Sequence, residues 1–418
     1  MPAAAAQIVS WNLTQVCNLA CGHCYLDAVA RRREAPGELS TSAALEVLRQ
    51  VSEVAPGAML VLTGGEPLLR RDLTQLVERA AALGLMPVIG TNGVALDARH
   101  ASALKAAGAA GVGISVDSAS AAFHDRLRGV AGAWERALAG ARAARAVGLA
   151  VQLQATLFAE NRGELEALSD LAQDVGAMAL NFFFLVCTGR GVTQTDLPPA
   201  AYEEALLAIV RLQAARPGMM VRARCAPYLR RLLGLHAGEG AGGYAGWSSA
   251  CLAGRSYFRI TPQGRVTPCP YIPEPAGDLL STPLREIWET GRSFARLRGE
   301  LPGGKCGGCD YRVSCGGCRA RALAQHGDLL AEDSKCRYQA APGVRPEVWQ
   351  AQIPAQAVSW EPEAEALLAR IPAFVRARVR ERLEQAAGRE AVTSITVEFM
   401  RAHRPPMPFA ASRGIPRG

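Results

Sequence analysis

Three closely spaced cysteines near the start of the chain constrain its function more than any other feature. Cys17, Cys21 and Cys24 follow the pattern C-x3-C-x2-C and come directly after a predicted strand over residues 8–14. Thiolates are strong ligands for iron, and a cubane iron–sulfur cluster takes one protein ligand per iron. Three cysteines therefore leave one iron open to a small molecule. The alternatives are an incomplete zinc site, although zinc usually gathers four ligands in paired C-x2-C sets, or three buried thiols.

Length and composition predict a soluble protein of two or three domains. The chain has 418 residues, of which 49% are hydrophobic and 20% charged. We expect no signal peptide and no membrane helix, because the most apolar run, residues 177–186, is short and contains Asn181. The 12 cysteines then indicate a cytoplasmic protein that uses reduced thiols for metal binding. The dispersed net charge of +8 favours an anionic substrate or an acidic partner, and no pattern indicates nucleic-acid binding.

Strands and helices alternate through the first half of the chain. After residues 8–14, strands are predicted at 58–63, 87–90, 112–116, 151–157 and 179–186. Helices are predicted from a Ser40 or Thr41 cap to residue 54, and at 72–83, 97–107, 133–147, 163–174 and 200–215. Six strand–helix units in series imply a parallel sheet with right-handed crossovers. Periodicity alone does not separate a doubly wound sheet from a barrel.

Glycine-rich and polar motifs close several of these strands. They are Gly64-Gly65-Glu66-Pro67, Gly90-Thr91-Asn92-Gly93 and Ser115-Val116-Asp117-Ser118, after the second, third and fourth strands. Together with the three cysteines and the aromatic Tyr25 that follows them, these motifs resemble the radical S-adenosylmethionine family. The resemblance implies an α/β fold, a partial (β/α)6 TIM-type barrel over residues 1–218, with its chemistry at the carboxyl ends of the strands.

The resemblance also implies a reaction and its cofactors. The open iron of a [4Fe–4S] cluster would bind S-adenosylmethionine through its amino and carboxylate groups. One electron, supplied by a reductant such as ferredoxin or flavodoxin, would then release a 5′-deoxyadenosyl radical that abstracts hydrogen from the substrate. The catalytic residues are accordingly Cys17, Cys21 and Cys24.

Residues that contact the cofactor follow from the same resemblance. Gly64, Gly65, Glu66 and Pro67 would hold the methionyl amino group, with Tyr25 beside the cluster. Asn92, Ser115 and Asp117 correspond to positions near the ribose and carboxylate, although Asp117 suits a helix cap equally well. Gln154 alternates with apolar neighbours and is expected to face the barrel interior and the adenosine. His23 is interpreted as loop packing. The run from Phe123 to Gly129 also matches the family, with a structural role at least as well supported as a catalytic one.

A second group of cysteines occupies residues 219–340. Its members are Cys251, Cys269, Cys306, Cys309, Cys315, Cys318 and Cys336. Read alone, the paired C-x2-C sets would suggest a zinc ribbon. The arrangement resembles the SPASM auxiliary-cluster domain of the same family, including the hairpin at 259–264 and the short helix at 284–288. The resemblance implies one cluster on Cys306, Cys309, Cys315 and Cys336, and another on Cys251, Cys269 and Cys318. Cys225, or less well Cys187, would complete the second set, or its fourth iron would stay open for substrate.

The chain then passes through a predicted linker at 341–358 to a last unit at 359–405 and a tail at 406–418. The last unit resembles the small helical domain of the B subunit of light-independent protochlorophyllide reductase, which hints at a tetrapyrrole. Its arginines are candidates for pairing with propionates, unless the unit is a docking module with a solvated basic face. They are Arg370, Arg376, Arg378, Arg380 and Arg382. A glycine-rich segment at 234–246 is predicted to be a lid or a linker.

Three functions are compatible with these features. The segments Thr267-Pro268-Cys269-Pro270-Tyr271 and 315–322 resemble haem-pathway members, which implies hydrogen abstraction from a tetrapyrrole propionate, loss of carbon dioxide and electron transfer to an auxiliary cluster. A peptide or protein maturase is the alternative, although only residues 1–16 precede Cys17, where such maturases often carry a peptide-recognition domain. An iron–sulfur electron carrier without catalysis is the third, and the open iron argues against it.

Overall fold

The computed structural model describes residues 5–26, 36–236, 251–343, 345–346, 358–369 and many positions of 371–403. Within these ranges one sheet of ten strands has the order β10-β9-β8-β1-β2-β3-β4-β5-β6-β7. Its strands are β1 (Ile8–Asn12), β2 (Met59–Thr63), β3 (Met86–Thr91), β4 (Gly111–Ser115), β5 (Ala150–Leu157), β6 (Ala179–Phe184), β7 (Met220–Arg224), β8 (Tyr257–Ile260), β9 (Arg265–Thr267) and β10 (Gly277–Asp278). The first seven run parallel in chain order, as repeated strand–helix units require.

Helices cover one face of this sheet and connect its strands. They are α1 (Thr41–Val54), α2 (Leu73–Ala82), α3 (Ala98–Ala106), α4 (Ala121–Arg128), α5 (Ala133–Ala146), α6 (Leu165–Asp174), α7 (Pro199–Ala215) and α8 (Leu229–His236). Ser40 caps α1 through the amide of Ala43, as predicted. The buried residues of α1 include Ala44, Val47 and Val51, a spacing that places them on one apolar stripe against the sheet. The parallel sheet with outer helices confirms the predicted partial barrel.

The strand β5 shows how the sheet presents two different faces. Val151, Leu153 and Ala155 are buried in the main core, whereas Gln152 and Gln154 between them are half-buried. Successive side chains of a strand point to opposite faces, so the apolar set lies under the helices and the polar set on the other face. An open polar face at the strand ends is where a barrel of this kind places its ligands.

The cysteine-rich part of the chain joins the same sheet at both edges. Beyond residue 218, where the barrel was expected to end, β7 pairs with β6 in parallel. At the opposite edge β8 pairs in parallel with β1, and β8 and β9 form the predicted hairpin. Further helices are Leu284–Thr290, Arg292–Gly299, Gly304–Gly307 and Arg319–His326. The auxiliary region is thus covalently and structurally continuous with the barrel.

The last described unit has a core of its own. Strands β11 (Ser359–Trp360) and β12 (Ser394–Ile395) pair in parallel, with helices at Pro362–Ala369 and Val397–Ala402. The buried side chains include Ala364, Leu368, Ala387, Ile395 and Met400. The predicted glycine-rich lid (beyond residue 236), most of the linker and the tail lie outside the described residues. No helix in the described part of the chain is long and apolar enough to cross a membrane.

Candidate active site

The three leading cysteines lie together in the loop after β1. Cys17 is buried, and Cys21 and Cys24 pack beside it against Leu19 and Ala133. The amide of Leu19 donates to Cys17 Sγ at 3.5 Å. The pKa of Cys17 is raised to about 12, chiefly by burial, with smaller contributions from Glu66 and the nearby Cys21 and Cys24. Three neighbouring thiols, one of which accepts a hydrogen bond from a backbone amide, suit the ligand set of an iron–sulfur cluster.

Two glycines allow the next motif to lie directly against this loop. Gly64 has φ +145°, and a Cβ at Gly65 would lie 2.2 Å from the carbonyl oxygen of Val16. The amides of Gly65 and Glu66 donate to the carbonyls of Thr14 and Val16, both at 2.7 Å. Only glycine permits so close an approach of two backbones. Residues 64–66 therefore lie directly against the segment that leads into Cys17.

The carboxylate of Glu66 is fully buried and is engaged by the protein itself. It accepts hydrogen bonds from Thr91 Oγ1 at 2.7 Å, from the amide of Asn92 at 2.8 Å and from the amide of Leu68 at 3.1 Å. Three of about four acceptor positions of a carboxylate are thus occupied. Burial raises the pKa of Glu66. These contacts hold the ends of β2 and β3 together, and the role of Glu66 toward an ammonium group stays a prediction.

Asn92 connects the end of β3 to the cysteine loop. Its Nδ2 donates to Asn18 Oδ1 at 2.7 Å, and its Oδ1 accepts from the amide of Val94 at 2.9 Å. Pro67 follows Glu66 at the start of a 3-10 turn, Pro67–Leu69. These contacts place Asn92 next to the predicted cofactor position and fix its orientation.

Ser115 and Gln154 are register partners on β4 and β5. Both are half-buried, and a Cβ at Gly113 would lie 2.5 Å from Gln154 Nε2. The Gln154 side chain therefore covers Gly113 on the polar face of the sheet. This position agrees with the expectation that Gln154 faces the barrel interior.

Asp117 lies at the centre of a buried charge cluster. Its Oδ2 lies 2.6 Å from Arg128 Nη2 and 3.7 Å from His23 Nε2, and Oδ1 accepts from the amide of Thr156 at 2.9 Å. Burial alone would raise the pKa of Asp117, but the charge of Arg128, with smaller contributions from nearby histidines and the amide of Thr156, outweighs burial and the pKa lies below its usual value. Ser120, not Asp117, caps α4.

Arg128 also reaches the first cysteine loop. Its Nη1 lies 3.6 Å from Cys21 Sγ, so the guanidinium bridges Cys21 and Asp117. The residue belongs to the run from Phe123 to Gly129, for which a structural role was expected at least as much as a catalytic one. The sequence contained the signal, an arginine in a family-like run, but gave no reason to select Arg128 over Arg126.

His23 packs inside the loop, as expected. It is in edge contact with Phe158, at 5.4 Å between ring centroids. Burial lowers the pKa of His23 to about 4 despite the opposing influence of Asp117. The imidazole is therefore neutral near pH 7.

Four cysteines converge in one small apolar cluster at the end of β7. Cys225, Cys251 and Cys269 pack against the buried Cys318. Burial raises the pKa values of Cys225 and Cys269, and for both the other cysteines of this group raise them further. The corresponding neighbours of Cys187 are Asp196, Lys335 and Arg321, with no cysteine among them. The position of Cys225 among these cysteines thus suits the missing fourth ligand better than that of Cys187, and the assignment stays a prediction.

Four further cysteines line one cavity in the auxiliary region. They are Cys306, Cys309, Cys315 and Cys336, with Tyr311, Tyr338 and Lys305 among the other lining residues. Backbone amides point at two of the sulfurs: Tyr311 N lies 3.3 Å from Cys309 Sγ, and Asp333 N lies 3.4 Å from Cys306 Sγ. Amide donors to thiolate sulfur are one means by which proteins tune iron–sulfur clusters.

The spacing within these groups differs from that of a single-ion site. Within the described ranges, no three His, Cys, Asp or Glu side chains are arranged to hold one metal ion. Zinc requires all its ligands within about 2.3 Å of one point, whereas each cysteine of a cubane binds its own iron. Each auxiliary set supplies four thiols, the number and type of ligand that a cubane cluster takes.

A group of aromatic residues with one arginine connects the first loop to the auxiliary cysteines. Tyr25, next to Cys24, packs edge-on against Tyr271 with centroids 5.4 Å apart. Arg259 is 8% exposed, lies over the Tyr25 ring at 5.8 Å and donates to the carbonyl of Pro270 at 3.3 Å. Asn12 Nδ2 donates to the Tyr25 hydroxyl at 3.0 Å. Arg259 therefore contacts both Tyr25, which follows Cys24, and Pro270, which follows Cys269.

The arginines of the C-terminal unit are engaged locally where the structure describes them. Arg376 donates to the carbonyls of Ala369 and Ile371, and Arg380 pairs with Glu365 at 2.6 Å and lies over Trp360. Arg370, Arg378 and Arg382 lie outside the described residues. The two described arginines thus stabilise the unit, and both expected roles of its basic face, propionate pairing and docking, stay predictions.

Comparison with known families agrees with this geometry. Residues 11–172 match the radical SAM superfamily, residues 251–318 match an iron–sulfur cluster-binding domain (SPASM), and residues 360–404 match the proto-chlorophyllide reductase 57 kD subunit. The chain belongs to the radical SAM superfamily and is an enzyme with a SPASM domain. Its cofactors are S-adenosylmethionine and [4Fe–4S] clusters, including auxiliary clusters.

Individual relatives show which kinds of radical SAM enzyme the chain is similar to. The chain is 36% identical to the AdoMet-dependent heme synthase of Methanosarcina barkeri over 342 residues, which cover 80% of this chain and 97% of the relative. It is 34% identical to the pre-heme d1 synthase of Dinoroseobacter shibae, with 80% and 87% covered. It is also 32% identical to a PqqA peptide cyclase of Xanthomonas campestris, with 80% and 88% covered.

A solved structure shares the fold. Streptococcus suis SuiB bound to the precursor peptide SuiA aligns with a TM-score of 0.66 and 16% identity, over 81% of this chain and 77% of that one. At this identity the similarity concerns the fold alone.

Proposed function

We propose that the enzyme modifies a propionate side chain of an anionic iron tetrapyrrole, in a reaction of the oxidative decarboxylation type. The observation that carries the proposal is the 36% identity to a heme synthase across 97% of that protein's length. Pre-heme d1 synthase and Fe-coproporphyrin III synthase are further relatives at 34% and 28% identity. The described site adds a buried arginine placed between two groups of cysteines.

The ligand sets follow from the convergence of the thiols. Cys17, Cys21 and Cys24 would hold the cluster that leaves one iron open for S-adenosylmethionine. Cys225, Cys251, Cys269 and Cys318 would hold one auxiliary cluster, and Cys306, Cys309, Cys315 and Cys336 the other. When bound, the first cluster and S-adenosylmethionine supply an organic radical able to remove hydrogen from carbon.

The residues around the first loop position and enclose this chemistry. The backbone at Gly64 and Gly65 offers its remaining polar groups beside Cys17, with Glu66 and Pro67 fixing the turn. Asn92, Ser115, Asp117 and Gln154 border the polar face at the strand ends. Burial raises the pKa of Cys21, and the positive charge of Arg128 beside its sulfur opposes that rise.

Arg259 is the side chain best placed to receive a substrate carboxylate. Its guanidinium lies over Tyr25 and bonds to Asn12 and to the Pro270 carbonyl, so its orientation is fixed before a ligand arrives. A fixed guanidinium forms strong paired hydrogen bonds with carboxylates. Its place between Cys24 and Cys269 would hold a propionate near both groups of cysteines.

An external reductant such as ferredoxin or flavodoxin would supply electrons. All twelve cysteines are unpaired in the structure, and thiol-rich sites of this kind require a reducing compartment. We therefore place the enzyme in the cytoplasm.

Binding of iron-coproporphyrin tests the proposal. Titration of anaerobically reconstituted protein should shift the Soret band of the porphyrin. Arg259→Met should weaken binding by about tenfold or more, since hydrogen bonds to charged groups contribute about 1.5–3 kcal/mol. Arg265→Met, on the exposed side of the adjacent strand β9, is the matched control and should bind as the wild type does.

A peptide maturase is the second candidate, favoured by the PqqA peptide cyclases at 32% identity. An unchanged Soret band, together with 5′-deoxyadenosine formation driven by a peptide encoded near this gene, would replace the tetrapyrrole proposal with this one.

A further inference from the structure

A buried ion pair lies between the two groups of auxiliary cysteines. Arg321 is 2% exposed and Asp333 is 0% exposed, and Arg321 Nη1 lies 2.9 Å from Asp333 Oδ2. Arg321 belongs to the helix Arg319–His326, which begins directly after Cys318. Burying two charges is expensive, so such a pair is kept only where its further bonds are well satisfied.

The further bonds of Arg321 reach the end of the barrel. Its Nη2 donates to the carbonyl of Cys225 at 3.0 Å, to the Tyr202 hydroxyl at 3.2 Å and to the carbonyl of Leu185 at 3.4 Å. The guanidinium also lies over the Tyr202 ring at 5.1 Å. One side chain thus ties together the end of β6, helix α7 and the segment after β7.

The hydrogen bond from Arg321 supports an unusual backbone conformation at Cys225. Among the described residues, Cys225 is the one non-glycine residue with positive φ, at 60°. That conformation is uncommon for a side chain of this type and needs support from its surroundings. The hydrogen bond from Arg321 to the Cys225 carbonyl supplies such support, and the thiol then lies with Cys251, Cys269 and Cys318.

Asp333 touches a cysteine from each group. Its Oδ2 accepts from the amide of Cys318 at 2.8 Å, and its own amide donates to Cys306 Sγ at 3.4 Å. Gly317 lets these atoms approach, because a Cβ there would lie 2.8 Å from Asp333 Cβ and 3.2 Å from Cys306 Sγ. The ion pair therefore contacts Cys225 and Cys318 on one side and Cys306 on the other.

We propose that Arg321 and Asp333 form a positioning pair that presents Cys225 as a cluster ligand and sets the reduction potentials of the two auxiliary clusters. The inference rests on the ligand sets proposed above, but not on the identity of the substrate. Reduction adds negative charge to a cluster, so a buried cation nearby favours the reduced form and a buried anion disfavours it. Arg321 is nearer the Cys225 group, whereas Asp333 adjoins both.

Redox titration monitored by electron paramagnetic resonance tests this pair. Arg321→Met should lower the midpoint potential of one auxiliary cluster, and Asp333→Asn, which keeps size and the bond to Cys318, should raise the potentials of both. Arg321→Lys should lie nearer the wild type, because the charge remains. Opposite shifts from the two partners are a signature that loss of packing alone does not produce.

Arg298 provides the matched control. Its side chain is half-buried in the auxiliary region, and its guanidinium donates to the carbonyls of Gly254 and Trp288. Burial is the cause that lowers the pKa of Arg298. Arg298→Met should leave all midpoint potentials unchanged. Iron content is measured for every variant alongside the potentials.

The outcomes separate the inference from the ligand sets. A wild type with no auxiliary cluster signal would contradict the ligand sets. Two auxiliary clusters with unmoved potentials in both Arg321→Met and Asp333→Asn, or shifts of the same sign, would overturn the positioning pair. If Arg321→Met does not fold, Asp333→Asn decides alone: an upward shift supports the pair, and an unchanged potential contradicts it.

Discussion

Arg128 Nη2 lies 2.6 Å from Asp117 Oδ2, with both side chains buried, and the same guanidinium reaches Cys21 Sγ. The contact joins the helix after β4 to the first cysteine loop. Since Asp117 also accepts from the amide of Thr156, the pair links β4, β5 and the cysteine loop at one point. The geometry of the loop therefore depends on a charge that lies more than 100 residues away in sequence.

Arg128→Met should destabilise the enzyme strongly. Removing one partner of a buried ion pair costs about 3–5 kcal/mol, because the other charge is left uncompensated. The free energy of unfolding, measured by urea denaturation, reports this loss. Arg126→Met on the exposed face of the same helix should change it by less than about 0.5 kcal/mol. Equal effects of the two substitutions would contradict a role for the Asp117 contact.

Gly65→Ala should disrupt the packing of residues 64–66 against the segment that leads into Cys17. The added Cβ would lie 2.2 Å from the Val16 carbonyl oxygen, so the loop or the strand end must move. Such overpacking costs about 1–3 kcal/mol, and we expect weaker binding of S-adenosylmethionine in equilibrium dialysis. Gly163→Ala, whose Cβ meets nothing within 4 Å, is the control. Normal affinity in Gly65→Ala would show that the close approach is dispensable.

Glu66→Gln should weaken the junction of β2 and β3. The carboxylate of Glu66 accepts hydrogen bonds from three donors through its two oxygens, whereas a glutamine side chain has one oxygen that can accept. One buried donor left unpaired costs about 1–3 kcal/mol. Both stability and S-adenosylmethionine affinity should fall, while the exposed Glu78→Gln leaves them unchanged. A loss of affinity with full stability would instead indicate direct contact between Glu66 and the cofactor.

Cys225→Ser should remove or weaken one auxiliary cluster. The wild type reconstituted without oxygen should carry about eight to twelve irons, since each cubane contributes four. Iron analysis and low-temperature spectra should show the loss in Cys225→Ser and no loss in Cys187→Ser, whose thiol is influenced most by Asp196, Lys335 and Arg321. Iron loss confined to Cys187→Ser would reverse the assignment.

The sequence predicted the repeating part of the fold well. Apolar runs gave the parallel strands to within a few residues, and Ser40 identified the start of α1, because both signals are local. It did not predict that β8 would pair with β1, since nothing local in residues 257–260 encodes a partner some 250 positions earlier.

The candidate site likewise contains residues that the sequence identifies and residues that only the folded structure identifies. Cysteines in close spacing could be selected from the sequence, whereas Cys225 was one of two lone candidates until its neighbours were visible. Arg321 and Arg128 act through contacts made in three dimensions, which the family-like segments that contain them do not specify. The engagement of Glu66 by Thr91 and Asn92 likewise depends on the junction of two strands.

The most direct test of the account measures 5′-deoxyadenosine and the mass of the tetrapyrrole in the same reaction. Under anaerobic reduction with S-adenosylmethionine, the wild type should form 5′-deoxyadenosine, form more of it with iron-coproporphyrin, and yield a porphyrin that has lost carbon dioxide; Cys21→Ala should form neither product. Undiminished 5′-deoxyadenosine from Cys21→Ala, or an unaltered porphyrin that leaves wild-type turnover unchanged, would contradict it.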